Sequence, residues 1–441
     1  MIKRPLLFSS PKYGDFTGPV SFLLYVVLFL FWKSIPGLGG LILYISVYLI
    51  LFGIVLLPML NPRKKTEDGK EWNRIWFWGI LFRLTAIFTF PVWEDDWARF
   101  LWDGYQTLET GSPYGKSPAS FFSDRGLPIW TVEILSRINH PEVPTIYGPT
   151  LQILFCISAY LVPGSLVCLK CLYFLIEILG WWLLRKNFTQ KEFRILFWFP
   201  LLIVETYIQA HPDFFGLVLL CGAYIYKERK QNWIAGVCLG VACGVKIFAW
   251  ILLPFCLIRT KRVSFLIAFF FTLLAPYIFF GMRGGVGEDG LAIFLESWEF
   301  NSSLYTFLKW IFGRIIFVSV PVWSIGVFCL GLWGTLGLFF LKEFNDGDES
   351  ALGKSFLWFF LLSPVVNPWY LLWALFFWIR SENFPGIVFC GVVILSYISG
   401  KTLSSSTQLQ LYENPLWVLL LEYSLVFLSL ILPKFLSKRT R

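Results

Sequence analysis

The chain has 441 residues, of which 57% are hydrophobic, 20% aromatic and 15% charged, whereas a soluble protein carries about 25% charge. That composition excludes a soluble globular protein and reads as an all-α polytopic membrane protein, a single integral domain over 1–441. The net charge of +9 is no nucleic-acid signal, because the basic residues gather at helix ends and no basic face carries interleaved aromatics.

Apolar runs near 18–33, 38–60, 74–92, 147–162, 165–184, 193–209, 214–227, 232–258, 263–281, 315–341, 355–379, 384–399 and 414–433 predict about 12–14 transmembrane helices. Basic groups set their sidedness. Lys3 and Arg4, Arg63 to Lys65, Arg185 with Lys186, Lys227 to Lys230, Arg259 to Arg262 and Lys434 to Arg441 are placed in the cytoplasm. The third span then exits at Trp93, which puts 93–146 outside, together with His211-Pro-Asp213, the 282–314 loop and Ser404 to Glu413. No small-residue cleavage site follows the first apolar run, so no signal peptide is expected to be removed.

The stretch from Trp93 to Tyr114 is acidic at a helix exit. Asp96, Arg99, Asp103 and Gln106 share one helical face, while Trp97, Leu101, Tyr105 and Leu108 share another. This predicts an amphipathic helix lying in the headgroup zone, with its carboxylates turned away from lipid. Asp95 stands at the N-cap position, and Gly111 with Pro113 ends the helix. Further on, 147–184 holds two apolar runs but one net crossing, so 147–162 is expected to be partly embedded. Arg83, Lys170 and Glu177 sit inside apolar spans. The last two are seven residues apart on one face and are expected to neutralise each other.

Two later runs are flanked by basic residues at both ends, which makes each a hairpin. The first has its tip at Gly244-Val-Lys246, the second at Ser363-Pro-Val-Val-Asn367-Pro-Trp-Tyr370. Interrupted helices of this kind are tolerated at membrane depth only where they line a cavity, and both tips would point toward the acidic loop. Ser297-Trp-Glu-Phe-Asn301 and Leu304-Tyr-Thr-Phe-Leu308 predict another outer interfacial helix, with Glu299 and Lys309 as solvated face residues or site groups. The nine cysteines all lie in apolar runs and form neither a disulfide framework nor a metal-type pair.

Asp95 and Asp96 are the leading candidates for chemistry. One aspartate suffices for capping; a second carboxylate at a water–lipid boundary can act as general base on an acceptor hydroxyl. Lys246 either snorkels to a surface or binds an anionic phosphate. Asp213 either caps the helix that His211 opens or joins the site, with Glu205 about a turn and a half earlier. His140 is either an ordinary loop residue or a site group. No Walker loop, dinucleotide fingerprint, nucleophile elbow or zinc-protease motif occurs in a convincing context. Without room for a soluble nucleotide-binding domain, any activated donor is expected to arrive through the membrane, linked to a lipid.

Asp95-Asp96-x-x-Arg99-Phe-x-Trp102-Asp103-Gly104, Gly111-Ser-Pro113-Tyr114 and Ile138-Asn-His140-Pro-Glu-Val-Pro-Thr-Ile-Tyr147-Gly-Pro resemble the bacterial polyprenol-phosphate-sugar-dependent glycosyltransferases of the C-type (GT-C) superfamily, mannosyltransferases in particular. His211-Pro-Asp213, Gly244-Val-Lys246, Trp298-Glu-Phe-Asn301 and Ser363-Pro-x-x-Asn367-Pro-Trp369-Tyr370 continue the likeness over about residues 75–380. The resemblance implies a GT-C-like fold in the bacterial inner membrane with its site facing the periplasm. It implies inverting transfer of a sugar, mannose first, from a polyprenyl monophosphate to a lipid, glycan or protein hydroxyl, with no cofactor or metal and no nucleic-acid partner. Asp95 or Asp96 would be the base. Lys246, His211 and Arg99, with Asp213, Asn367 and Tyr370, would hold the donor phosphate and sugar, and Asp103, His140, Tyr147, Glu205 and Glu299 are further candidates. Two departures stand out: Asn367 replaces the family's usual histidine, and two extra spans in 1–72 precede the 93–146 loop. A secondary transporter or lipid flippase is the alternative, since interrupted helices near the midplane also serve transport.

Overall fold

The structure, a computed structural model, describes residues 13–31, 38–60, 69–91, 93–258, 262–315, 322–399 and 413–438. The predicted basic groups at 3–4, 63–65 and 259–261, most of the predicted outer stretch (404–412), and 439–441 lie outside the described residues. The described elements are helical, apart from an isolated parallel bridge between Phe300 and Val365. Among the described residues, four helices are long and apolar enough to cross a membrane: Leu38–Met59, Leu166–Asn187, Val263–Gly281 and Trp323–Asn345. Seven shorter apolar helices of 10–17 residues accompany them, consistent with a membrane protein. Their surfaces bear this out locally. On the helix from Val263, the side chains of Val263, Ile267, Phe271 and Ile278 are exposed while Phe265, Ala268 and Phe269 are buried. An apolar outer face is stable where the surrounding medium is lipid.

In chain order, α1 (Tyr13–Phe31), α2 (Leu38–Leu60) and α3 (Gly69–Ile87) lead to α4 (Asp96–Thr110) and the short α5 (Ile129–Ser136). Next come α6 (Pro149–Leu161), α7 (Leu166–Leu184), α8 (Gln190–Phe197) and α9 (Pro200–Ile203). Local chemistry sets several starts. Pro149 opens α6, the Ser165 hydroxyl accepts from the Cys168 N–H at the start of α7, and Thr189 with Glu192 forms a capping box on α8. The 13 residues of α6 rise about 20 Å, too short for a crossing. The span expected over 193–209 is interrupted: Pro200 restarts the helix as α9, and a π-helical turn over Val204–Ile208 follows.

Both expected hairpins carry a break at the tip. α10 (Asp213–Glu228) precedes α11 (Asn232–Val245), which stops where Lys246 turns extended, with φ −158° and ψ 152°. A 3-10 turn and α12 (Leu253–Leu257) complete that arm. The break is sealed by glycines: a Cβ on Gly148 would lie 2.3 Å from the Gly244 carbonyl oxygen, and one on Gly244 would lie 2.3 Å from the Thr150 hydroxyl. Backbones that close bring Lys246 against the 145–148 segment. After α13 (Arg262–Gly281), α14 (Glu288–Ser297), α15 (Leu304–Ile315) and α16 (Val322–Asn345), α17 (Ser350–Leu362) ends before Pro364. A 3-10 turn over Pro368–Leu371 then leads into α18 (Leu372–Arg380), followed by α19 (Phe384–Val392) and α20 (Leu416–Lys438).

Three expectations need correction. α4 does not lie with one face in lipid: Trp97 through Thr107 are all buried in protein. Its apolar side chains pack on aromatic neighbours, Trp97 on Phe90, Trp102 on Phe121 and Tyr105 on Trp130. Periodicity reports that a face is apolar but not whether lipid or protein covers it. The run Trp298 to Asn301 is not helical. Trp298 is extended, Asn301 turns left-handed, and between them Phe300 pairs through its N–H to Pro364 O (3.0 Å) and accepts Val366 N–H on its carbonyl (2.9 Å). Lys170 and Glu177 do not neutralise each other. Glu177 takes both Nε and Nη2 of Arg83 at 2.9 and 2.6 Å, while Lys170 donates to the Thr89 carbonyl at 2.6 Å.

Candidate active site

A cavity of about 130 Å³ opens where the start of α4, the 139–147 segment, the Lys246 break and the 363–370 tip converge. Glu94, Asp96, Arg99, Lys246, Asn367 and Tyr370 supply its polar wall, and His140 and Tyr147 also reach it. A second cavity, about 450 Å³ and mostly apolar, runs beside it between α13, α14 and α16. Ile146, Tyr147, Lys246, Phe294, Val365 and Tyr370 line both. Lys246 therefore stands where a polar chamber meets an oily groove.

The two adjacent aspartates have separate positions. Asp96 lines the cavity and Asp95 does not. Asp95 occupies the N-cap position without making a side-chain capping bond. The Tyr147 hydroxyl donates to Asp96 Oδ2 at 2.9 Å. Burial and the neighbouring Asp95 charge push the Asp96 carboxyl up, against the pull of Tyr147, Lys246 and Arg99. A carboxylate whose pKa is raised is a stronger base than an ordinary one, which suits it to proton transfer.

Asp103, two turns along α4, is buried away from the cavity and builds the support behind it. Its Oδ2 accepts from the Thr145 hydroxyl and from Gln152 Nε2 at 3.1 Å. Burial is the main reason its carboxyl is pushed up to about 6. Gln152 Nε2 and the Tyr114 hydroxyl in turn donate to the Tyr147 carbonyl, at 3.4 and 2.8 Å. This strut holds Tyr147, and Tyr147 holds Asp96. Arg99 faces the cavity with its terminal nitrogens already committed: Nη1 donates to Val143 O at 3.0 Å, and Nη2 to His140 O at 3.0 Å and Asn139 O at 3.4 Å. It shapes the loop more than it offers free donors.

Opposite, Lys246 Nζ donates to Asp213 Oδ1 at 2.9 Å and lies 4.5 Å from the centre of the Tyr370 ring. Trp373 Nε1 also donates to Asp213 Oδ1, at 2.7 Å. Asp213 begins α10 but the N-cap is Pro212, so its side chain serves the lysine rather than a cap. Lys246 keeps 19% of its side chain exposed, and an ammonium has three donors, so capacity for an anion remains.

Other candidates fall elsewhere. His211 is buried flat against Trp369, ring centres 3.5 Å apart, behind the cavity wall. Glu205 is buried in the π-helical turn and accepts the Tyr397 hydroxyl at 2.9 Å, away from the cavity. Glu299 pairs with Lys309 and accepts from Thr306 at 3.0 Å, so these are partners in a local cluster and not separate solvated residues. Among the described residues no group of three or more His, Cys, Asp and Glu is arranged to hold a metal ion. The sequence reading missed Glu94 and Asn139, and gave Trp298 and Trp369 no role beyond their motifs, yet all four line the cavity. Glu94 had a signal, its place directly before the aspartates; the tryptophans had none, because belt and core use explain them equally well.

No family model, curated protein or solved structure matches the chain.

Proposed function

We propose that the protein is a membrane glycosyltransferase of GT-C-like architecture that moves a sugar, mannose first, from a polyprenyl monophosphate to an acceptor hydroxyl. The acceptor is a lipid, glycan or protein on the extracytoplasmic side of a bacterial cytoplasmic membrane. The observation that carries the reading is the adjoining pair of cavities, with Asp96 and Lys246 in the polar one and a mostly apolar one of about 450 Å³, suited to a lipid chain, sharing its wall. The distribution of basic residues supports the sidedness.

In this reading Asp96 takes the proton of the acceptor hydroxyl, and that oxygen attacks the anomeric carbon from the face opposite the phosphate. The bond from the anomeric carbon to the phosphate oxygen breaks with inversion, and polyprenyl phosphate leaves with the electron pair. Lys246, held by Asp213 at 2.9 Å, stabilises the charge that gathers on the phosphate. Asp96 has the role and Asp95 does not because only Asp96 faces the cavity. Asn367 contributes hydrogen bonds to the sugar or phosphate and no proton transfer. Glu94, on the same wall, contacts the acceptor or the sugar hydroxyls.

Purified protein with labelled polyprenyl-phosphate-mannose tests this directly, comparing wild type with Asp95→Asn and Asp96→Asn. Transfer is expected from wild type and Asp95→Asn and not from Asp96→Asn. Undiminished transfer by both single mutants and the double would remove the proposed base. The interrupted helices at Lys246 and at Pro364 also favour a second reading, a transporter or flippase. Movement of the labelled lipid across a vesicle membrane without sugar transfer would select it.

A further inference from the structure

Glu422 sits in α20 and is fully buried, a placement that is costly for an ionisable group inside an apolar helix unless it serves a purpose. Its Oε1 accepts from Asn301 Nδ2 at 3.0 Å. The same amide donates to Val366 O at 3.3 Å, and Asn414 Nδ2 donates to Asn301 Oδ1 at 2.9 Å. Tyr423, the next residue of α20, donates its hydroxyl to the Asn301 carbonyl. Asn301 has φ +50°, a left-handed conformation that asparagine tolerates better than most residues but that still needs holding.

What this cluster holds is the short bridge between Phe300 and Val365, and Phe300, Val365 and Asn367 all line the polar cavity. An isolated bridge of two hydrogen bonds has no neighbouring strand to steady it. Asn301 binds both sides of it: its backbone continues from Phe300, and its amide reaches the Val366 carbonyl.

We infer that Glu422 is a positioning residue: from the C-terminal helix it locks Asn301, which fastens the 298–302 segment to the 363–367 tip and so sets the cavity wall facing Asp96. The inference rests on the glycosyltransferase reading for its functional consequence, but the fastening itself is a property of the fold. Because this wall shapes the chamber that takes the donor and leaves the base untouched, loosening it weakens donor binding more than the chemical step.

The test compares Glu422→Leu, Glu422→Gln and Asn301→Ala in full-length protein in lipid nanodiscs. The readouts are backbone hydrogen exchange and steady-state transfer from polyprenyl-phosphate-mannose. Glu422→Leu and Asn301→Ala are expected to speed exchange at the Phe300 and Val366 amides. They should raise the donor KM about tenfold or more, since small displacements of a binding wall are felt strongly, while kcat stays within about threefold. Glu422→Gln keeps an oxygen for the Asn301 amide and should restore both values. Unchanged exchange in Glu422→Leu overturns the inference, as does a fall in kcat proportional to lost folded protein at unchanged KM. Should Glu422→Leu fail to fold, the same two outcomes in Asn301→Ala overturn it. If wild type transfers no sugar, the functional reading fails, and hydrogen exchange alone decides the role of Glu422.

Discussion

Two buried ion pairs in this molecule are built in opposite ways. Between Arg83 and Glu177 every strong group is satisfied. Two charged hydrogen bonds join them, Arg83 Nη1 donates to Gly79 O at 2.8 Å, and Tyr207 and Trp181 donate to the same carboxylate at 2.5 and 2.8 Å. The guanidinium also lies 4.0 Å from the centre of the Phe197 ring, and neither side chain is exposed. Between Lys246 and Asp213 there is one bond, the lysine stays partly exposed, and Asp213 Oδ2 is buried with no hydrogen-bond partner among the described residues. A charge inside an apolar helix is a functional candidate by default, and that rule alone would have flagged both pairs equally. The difference is access and remaining capacity: the first pair braces α3, α7 and the turn after α9, and the second borders two cavities.

The sharpest way to break this contrast is at the base opposite Lys246. Asp96→Asn is expected to lower transfer by about 10³-fold or more without changing thermal stability, the upper part of the range for a positioned acid–base group. Asp95→Asn should remain within about tenfold of wild type. The ion pairs themselves should separate by readout. Arg83→Leu leaves Glu177 buried and unpaired, at a cost of about 3–5 kcal/mol seen as a lower unfolding midpoint, while the surviving folded enzyme keeps its kcat/KM. Lys246→Met should do the reverse, lowering kcat by about 10²-fold with a smaller loss of stability. A large activity loss from Arg83→Leu at full folding would erase the distinction.

A finer test uses pH. The base must be ionised, so kcat/KM should climb with pH through the Asp96 pKa, at a higher pH than for an ordinary aspartate because burial and Asp95 raise it. Tyr147→Phe removes a hydrogen bond that favours the carboxylate and should move that limb higher still. The smallest effect concerns the strut. Asp103 is raised to about 6 in the fold, against about 3.9 in an unfolded chain. The folded state thus holds the proton more tightly, so this group's contribution to stability is full below about pH 4 and is lost, by on the order of 3 kcal/mol, as pH rises through about 6. Thermal melts of Asp103→Asn across that range should be flat where wild type slopes.

The helical class, the breaks at the two hairpin tips and the end of α4 were legible in the sequence, because each depends on neighbours within a turn; the interruption at Pro200 inside the expected 193–209 span was not read. Apolar composition demands helices in lipid, Pro364 and Pro368 interrupt one, and Gly111 ends α4 with φ +80°. The mates of the buried charges were not legible. Helical spacing places Lys170 and Glu177 on one face, but the partner that Glu177 takes comes from α3, and spacing within one helix carries no information about another. The extended pairing of Phe300 with Val365 failed for the same reason: its hydrogen bonds join segments far apart in the chain, while the local pattern reads as helix. The acidic exit divides along this line. Sequence alone determined that carboxylates gather there; only the tertiary structure decided that Asp96 turns into a cavity beside Lys246 while Asp95 does not. Consecutive side chains at a helix start point about 100° apart, so which of them meets the cavity depends on how α4 is rotated, and packing against α6 and the 139–147 segment sets that rotation.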